Sequence, residues 1–144
     1  MNWKEEATKK LSRYPYMRQA SENIPREIKR LERQATAIRS AGTNAPIICG
    51  KNGREDMLLD NLVERQELQW ALQNAKDWMG VTDRALSTLR QDEREILSRM
   101  LIFPEEGALA SLCTDLGVES SSIYRRRDAA LRKFTLALYG SLDS

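Results

Sequence analysis

Apolar residues recur along most of the chain at alternating spacings of three and four, the period of a helix with one buried face. An early series comprises Ile24, Ile28, Leu31, Ala35 and Ile38. A longer series comprises Leu68, Leu72, Ala75, Met79, Thr82, Leu86 and Leu89. Such stripes need a partner helix, which is either the other stripe of the same chain, in a helical hairpin, or a second copy of the chain.

Proline and glycine predict where these helices begin and end. A first helix over 3–13 is predicted to end at Tyr14-Pro15-Tyr16, and the next is predicted to begin between Tyr16 and Pro25. Residues 42–54 contain three glycines and a proline, which predicts a loop. Residues 55–90 contain no proline and predict one long central helix.

A further helix is predicted after this central one. Asp92 is its predicted N-cap, with Glu95 three residues later as in a capping box. Pro104 is predicted to end it, because proline cannot continue the hydrogen bonding of a helix.

The last third of the chain has two short helical patterns around a glycine. The first pattern has three apolar residues on one face, Leu109, Leu112 and Cys113. Gly117 follows, and glycine readily adopts the positive φ that commonly ends a helix. A second helix is predicted next, with Glu119 or a serine at 120–122 as its N-cap. Its apolar stripe comprises Ile123, Ala130, Leu131, Phe134 and Leu138.

The opposite face of this second helix carries short polar side chains first and cations later. Ser121 and Ser122 lie at its start, followed by Arg125, Asp128 and Arg132. A DNA recognition helix needs this order, because its first turns meet base edges and its later cations meet phosphates. The arginine run at 125–127, taken alone, is more typical of a solvated helix face.

Composition favours an all-α protein with its positive charge at the two ends. Glycine and proline number only 7 and 4 in 144 residues, so most of the chain suits helices. Residues 1–41 carry ten cations against five anions, and residues 120–144 carry five against two. The middle, 42–119, carries eight cations and fourteen anions. This segregation favours a nucleic-acid partner more than the net charge of +2 does.

The last third also resembles the fourth region of bacterial sigma factors, which contains a helix-turn-helix and contacts RNA polymerase. The residues that match its signature are Leu116, Gly117, Val118, Ser121, Ile123, Ala130, Leu131, Arg132 and Lys133. Upstream, 86–89 and 92–97 resemble the helices that precede that motif, so the likeness covers about residues 82–140. Glu119 and Arg126 depart from it, since sigma factors usually have serine and a buried aliphatic residue there. With its extra N-terminal helical half and its tail at 122–140, the chain resembles phage transcriptional regulators of the RinA and ArpU type more than it resembles a sigma factor.

This resemblance implies two domains, a helical region at 1–81 and a DNA-binding domain at 82–144. It implies a sequence-specific regulator of phage late genes that reads double-stranded DNA with the helix at 120–135. The candidate DNA-binding residues are Ser120, Ser121, Ser122, Tyr124, Arg125, Arg126, Arg127, Arg132 and Lys133.

Two other functions are consistent with the same pattern. A small terminase subunit would use the helix-turn-helix to bind packaging sites and is expected to form a ring. A module that binds RNA polymerase would touch DNA only weakly. The sequence leaves the oligomeric state open, with a homodimer as one alternative.

The usual components of an enzyme or a metal site are missing from the sequence. The chain has no histidine, and Cys49 and Cys113 lie outside any Cys-x-x-Cys pair. Gly50-Lys51 resembles the end of a phosphate-binding loop, but Ala45 and Asn52 occupy the motif's glycine and Ser/Thr positions. We therefore predict no catalytic residue, no cofactor and no metal.

The sequence also predicts a cytoplasmic protein, in a bacterial host cell if the phage resemblance holds. Residues 1–6 lack the apolar core of a secretory signal. No stretch approaches the roughly 20 apolar residues of a membrane span. In that compartment Cys113 is expected to be a small core residue.

Overall fold

The computed structural model describes residues 2–41 and 53–142, which form five α-helices and no strand. The helices are α1 (Trp3–Ser40), α2 (Gly53–Ser87), α3 (Gln91–Leu97), α4 (Ala108–Leu116) and α5 (Ser120–Tyr139). A π-helical turn, Ser98–Ile102, follows α3. The predicted all-α class is confirmed. The predicted loop at 42–54 lies outside the described residues, apart from Gly53 and Arg54, which begin α2.

The chain forms two compact units. The first unit comprises Met1–Arg18 and Trp78–Ser144, and the second comprises Gln19–Asp77. The predicted boundary between 81 and 82 lies four residues from the division between 77 and 78. Sequence reasoning did not anticipate that the first 18 residues belong with α3, α4 and α5.

The core of the first unit draws on α1, α2, α3 and α5. Leu11 of α1 and Phe134 of α5 are both fully buried in it. The buried members of this cluster are Ala7, Leu11, Ala85, Leu89, Leu97, Ile102, Ala130, Leu131 and Phe134. Ala7 and Leu11 are four residues apart and so share one face of α1. The start of α1 is therefore part of the core on which α5 rests.

Helix α1 is continuous through Pro15 and Pro25, so the predicted break at Tyr14-Pro15-Tyr16 is wrong. A proline inside a helix removes a hydrogen bond and costs about 3 kcal/mol. Packing beside Pro15 opposes that cost. Tyr14 lies 6.2 Å from the ring of Trp78, and its hydroxyl donates to Asp83 Oδ1 at 2.7 Å. Burial, with the Asp83 hydrogen bond, raises the pKa of Tyr14 to about 12, so this donor keeps its proton at neutral pH.

In the second unit, the polar residue Asn61 joins α2 to α1. Its Nδ2 donates to the backbone oxygen of Leu31 at 2.9 Å, and its Oδ1 accepts from Arg65 Nε at 2.8 Å. Asn61 is only 4% exposed, and these bonds satisfy it. Leu31, in the middle of the stripe at 24–38, thus lies beside Asn61, which precedes the stripe at 68–89. The predicted pairing of these two stripes is therefore wrong in register.

The later stripe has a different partner. In the first unit, Ala85 and Leu89 belong to the cluster that contains Ala7 and Leu11. The end of α2 thus packs on the start of α1, a segment that the predicted hairpin did not include.

Helix α3 begins earlier than the sequence predicted. Its N-cap is Arg90 rather than Asp92, and the Arg90 N–H donates to Glu93 Oε1 at 3.0 Å. The predicted partner Glu95 instead pairs with Arg99 at 3.2 Å. The same three-residue spacing occurs at 90–93 and 92–95, and the structure uses the earlier pair as the cap.

Candidate nucleic-acid interface

Helices α4 and α5 are joined by a three-residue turn, Gly117–Glu119. Gly117 has φ 67° and ψ 36°, the left-handed conformation predicted from the sequence. The Val118 N–H donates to the Cys113 oxygen at 3.2 Å and so satisfies a carbonyl at the end of α4. Glu119 is the extended N-cap of α5, and its side chain makes no capping hydrogen bond.

A small apolar cluster fixes α5 against α3 and α4. Its fully buried members are Ile96, Leu112 and Ile123, one from each of these helices. The half-buried residues that pack around them are Met100, Leu109, Cys113, Leu116 and Val118. Cys113, predicted to be a small core residue, is half-buried and packs against this cluster.

The predicted apolar stripe of α5 is confirmed. Ile123, Ala130, Leu131 and Phe134 are buried, and Leu138 packs against the same core. Because this stripe fixes the rotation of α5, its opposite face points to solvent. There Ser121, Arg125 and Arg132 are exposed, at spacings of four and seven that align them along one side of the helix.

Two candidate DNA-binding cations are instead paired with α3. Arg126 Nη1 lies 3.3 Å from Asp92 Oδ2, and Lys133 Nζ lies 3.0 Å from Glu93 Oε1. The side chain of Glu93 is only 2% exposed. These pairs border the exposed face of α5 and hold it against α3. Arg126 thus makes a polar link where sigma factors usually have an aliphatic contact.

The other border of that face is formed by the start of α1. Lys4 Nζ lies 3.4 Å from Asp128 Oδ2, and Arg127 Nη2 lies 3.4 Å from Asp128 Oδ1. The Arg127 guanidinium lies 5.0 Å from the centre of the Tyr124 ring. Sequence reasoning missed Lys4, since nothing local relates residue 4 to residue 128.

The nine candidates therefore fall into two groups. Arg126, Arg127 and Lys133 take part in ion pairs, and Tyr124 lies under Arg127. The others have no ion-pair partner among the described residues and lie at the first residue of α5 or at and beside its exposed face: Ser120, Ser121, Ser122, Arg125 and Arg132. Ser122 is half-buried and the other four are exposed. Within residues 2–41 and 53–142, neither Arg125 nor Arg132 has an ion-pair partner.

Helix α4, the short turn and helix α5 thus follow one another closely, and α5 carries a polar and cationic face toward solvent. Comparison of the chain with models of protein families, curated proteins and solved structures finds no match. None of the helices described is both long and apolar enough to cross a membrane. In the same part of the chain, no three cysteine, aspartate or glutamate side chains are grouped to hold a metal ion.

Two glycines provide opposite tests of this geometry. Gly117→Ala is expected to destabilise the first unit by about 1 to 2 kcal/mol, because alanine must then adopt the left-handed conformation. Its Cβ would meet no atom within 4 Å, so the cost is conformational. Gly80→Ala, inside α2, is expected to stabilise by about 0.5 to 1 kcal/mol. Urea unfolding of both variants measures these changes, and shifts in the same direction would contradict this account of the turn.

The buried carboxylate of Glu93 predicts a pH dependence. Burial by itself would raise its pKa, but hydrogen bonds from the Arg90 N–H and Lys133 outweigh burial and hold the pKa below its ordinary value. A lowered pKa in the folded state gives stability that is present above the unfolded pKa of about 4.3. That stability is lost as the pH falls through the folded value.

Glu93→Gln removes the charge and keeps an acceptor for the Arg90 N–H. At pH 7 the variant is expected to be less stable than the parent by about 1 to 3 kcal/mol, the contribution of a hydrogen bond to a charged group. The difference should shrink as the pH falls through the lowered folded pKa of Glu93, because the carboxylate then becomes protonated. Urea unfolding over a series of pH values below 7 measures this trend, and a pH-independent difference would argue against a stabilising carboxylate.

Proposed function

We propose that the protein is a sequence-specific, double-stranded DNA-binding transcriptional regulator of the phage late-gene type, with α5 in the major groove. The observation that carries this proposal is the aligned, exposed set Ser121, Arg125 and Arg132 on the helix after a tight turn. A major groove admits one α-helix, and such a helix needs hydrogen-bonding side chains directed away from its own core.

The position of each side chain along α5 suggests its role. Ser121, Ser122 and Arg125 lie in the first two turns, which are nearest to base edges in a docked helix. An arginine there can make two hydrogen bonds to guanine. Arg132 lies two turns later, where a cation meets phosphates of the DNA backbone.

The ion pairs indicate which cations of α5 stabilise the fold rather than contact bases. Arg126 and Lys133 are paired with Asp92 and Glu93, so we assign them to the orientation of α5 rather than to base reading. Lys133 is still half exposed and can add to the positive potential of the face. The phage and late-gene parts of the proposal rest on the resemblance to phage regulators of the RinA and ArpU type, which depends on the extra N-terminal half of the chain.

Binding-site selection from random duplex DNA with the full chain tests this proposal. We expect one short motif to be enriched, because base contacts through α5 favour some sequences over others. A mass measurement on the complex would give the number of copies bound. Salt-sensitive binding without any enriched motif would count against sequence-specific regulation, and binding to RNA polymerase without DNA enrichment would favour an interaction module.

A further inference from the structure

Helix α2 exposes large apolar side chains in the second unit. Trp70 is 76% exposed, Leu59 58% and Val63 44%. They lie on the side of α2 opposite Asn61 and Ala75, which are buried. A packed aromatic side chain buries about 150 to 250 Å², so an exposed Trp70 leaves a large apolar area in contact with solvent. We call the side that contains Leu59, Leu62, Val63, Gln66 and Trp70 the outer face of α2.

The spacing on this face is that of a helix-pairing seam. Leu59, Val63, Gln66 and Trp70 are separated by four, three and four residues, the repeat that faces a neighbouring helix in a coiled coil. Beside Trp70 there is a shallow groove, lined by Val63, Gln66, Glu67, Trp70, Ala71 and Asn74. The outer face is thus shaped to receive the apolar side chains of another helix.

The charges on α2 indicate which kind of helix fits. Residues 53–77 carry six carboxylates and three cations, and the cation Arg65 is engaged by Asn61. The carboxylates at the borders of the outer face are Glu55, Asp56, Asp60 and Glu67, all exposed. None of the four has an ion pair in the described part of the chain.

A second copy of this face is a poor match. In a parallel pair of α2 helices, heptad geometry brings Glu55 of one copy toward Asp60 of the other. In an antiparallel pair, Asp60 of one copy approaches Glu67 of the other. Both arrangements place carboxylates opposite carboxylates, and like charges opposed across an interface are unfavourable. A helix with cations beside its apolar stripe has the complementary charge.

We propose that the outer face of α2 binds a cationic amphipathic helix of another protein. Apolar residues of that helix, spaced by three and four, pack on Leu59, Val63 and Trp70. Its flanking lysines or arginines pair with Asp56, Asp60 and Glu67. No residue of α5 takes part, so this interaction does not use the candidate DNA-binding residues of that helix.

Binding of designed helical peptides to the full chain tests the proposal. One labelled probe has leucine at the heptad seam positions and lysine at the flanking positions, and a matched probe has glutamate at the flanks. We expect the lysine probe to bind and the glutamate probe to bind at least tenfold more weakly, since its flanks repel the carboxylates of α2. Fluorescence anisotropy of the labelled peptide measures both affinities.

Matched variants locate the site. Trp70→Ser is expected to weaken the lysine probe by roughly tenfold or more, the loss that follows truncation of a central aromatic anchor. Tyr16→Ser is the control, because Tyr16 is similarly exposed, at 73%, on α1. Asp60→Asn with Glu67→Gln should weaken the lysine probe and reduce its salt dependence.

Four results would overturn the proposal. The first is no binding of the lysine probe, the second is equal binding of both probes, and the third is an unchanged affinity for the lysine probe in Trp70→Ser. The fourth is a dimer in solution that Trp70→Ser converts to a monomer, because the occupant of the face would then be a second copy of the chain.

Discussion

Leu11→Ala is expected to lower the free energy of unfolding of the first unit by about 2 to 5 kcal/mol, the range for a buried leucine. Leu11 is fully buried in the cluster that also contains Leu131 and Phe134 of α5. Truncation would leave a cavity directly under the helix that carries the candidate DNA-binding residues. The effect should therefore extend to DNA binding, although Leu11 itself lies on the inner side of α1.

A matched substitution shows whether the loss of stability depends on the burial of Leu11 or follows from any Leu→Ala change. Leu136→Ala removes the same atoms from a side chain of α5 that is 40% exposed, and should cost less than about 1 kcal/mol. Urea unfolding followed by circular dichroism measures both variants. Equal losses for Leu11 and Leu136 would show that the start of α1 is not part of the core.

The same cluster bears on any attempt to isolate the part of the chain that contains the candidate DNA-binding residues. The sequence predicted a domain at 82–144, but the compact unit also contains residues 1–18. A fragment that starts near Val81 lacks Ala7 and Leu11, which are 4% and 0% exposed in the full chain. Such a fragment is expected to be much less stable than the full chain, which is therefore the form to use in DNA titrations.

The features that the sequence predicted are those set by neighbours in the chain. The stripe from Ile123 to Leu138 follows from helical periodicity, and the left-handed Gly117 follows from the preference of glycine at helix ends. Both depend on a few adjacent residues. The exposed positions of Ser121, Arg125 and Arg132 could be predicted for the same reason, because burial of one stripe fixes the opposite face.

The features that the sequence did not predict depend on distant residues. The pairs Lys133–Glu93 and Lys4–Asp128 link positions 40 and 124 apart, and no local pattern marks them. Pro15 predicted a helix end because its local penalty is large, but α1 continues through it, and Tyr14 beside it contacts the distant residues Trp78 and Asp83. Arg126 was predicted to replace an aliphatic residue of the sigma pattern, but its ion pair with Asp92, 34 positions away, was not predicted.

Loss of Arg125 and loss of the adjacent Arg126 are expected to have different effects on DNA affinity. Arg125→Ala is expected to cost about 1 to 3 kcal/mol on a selected DNA site and much less on random DNA, because a contact to guanine exists only where guanine is present. Arg126→Ala should instead weaken binding to both DNAs slightly and by a similar factor, since Arg126 is held by Asp92.

Arg132→Ala should weaken binding to both DNAs equally and reduce the salt dependence of the affinity by about one phosphate contact.

Titration of the parent protein and these three variants against a selected duplex and a random duplex, at several salt concentrations, tests the central claim most directly. Circular dichroism of each variant would establish that the helices are intact. We predict that Arg125→Ala loses roughly 5- to 150-fold in affinity on the selected duplex and retains most of its affinity for the random one. Equal losses on the two duplexes would contradict base reading through α5.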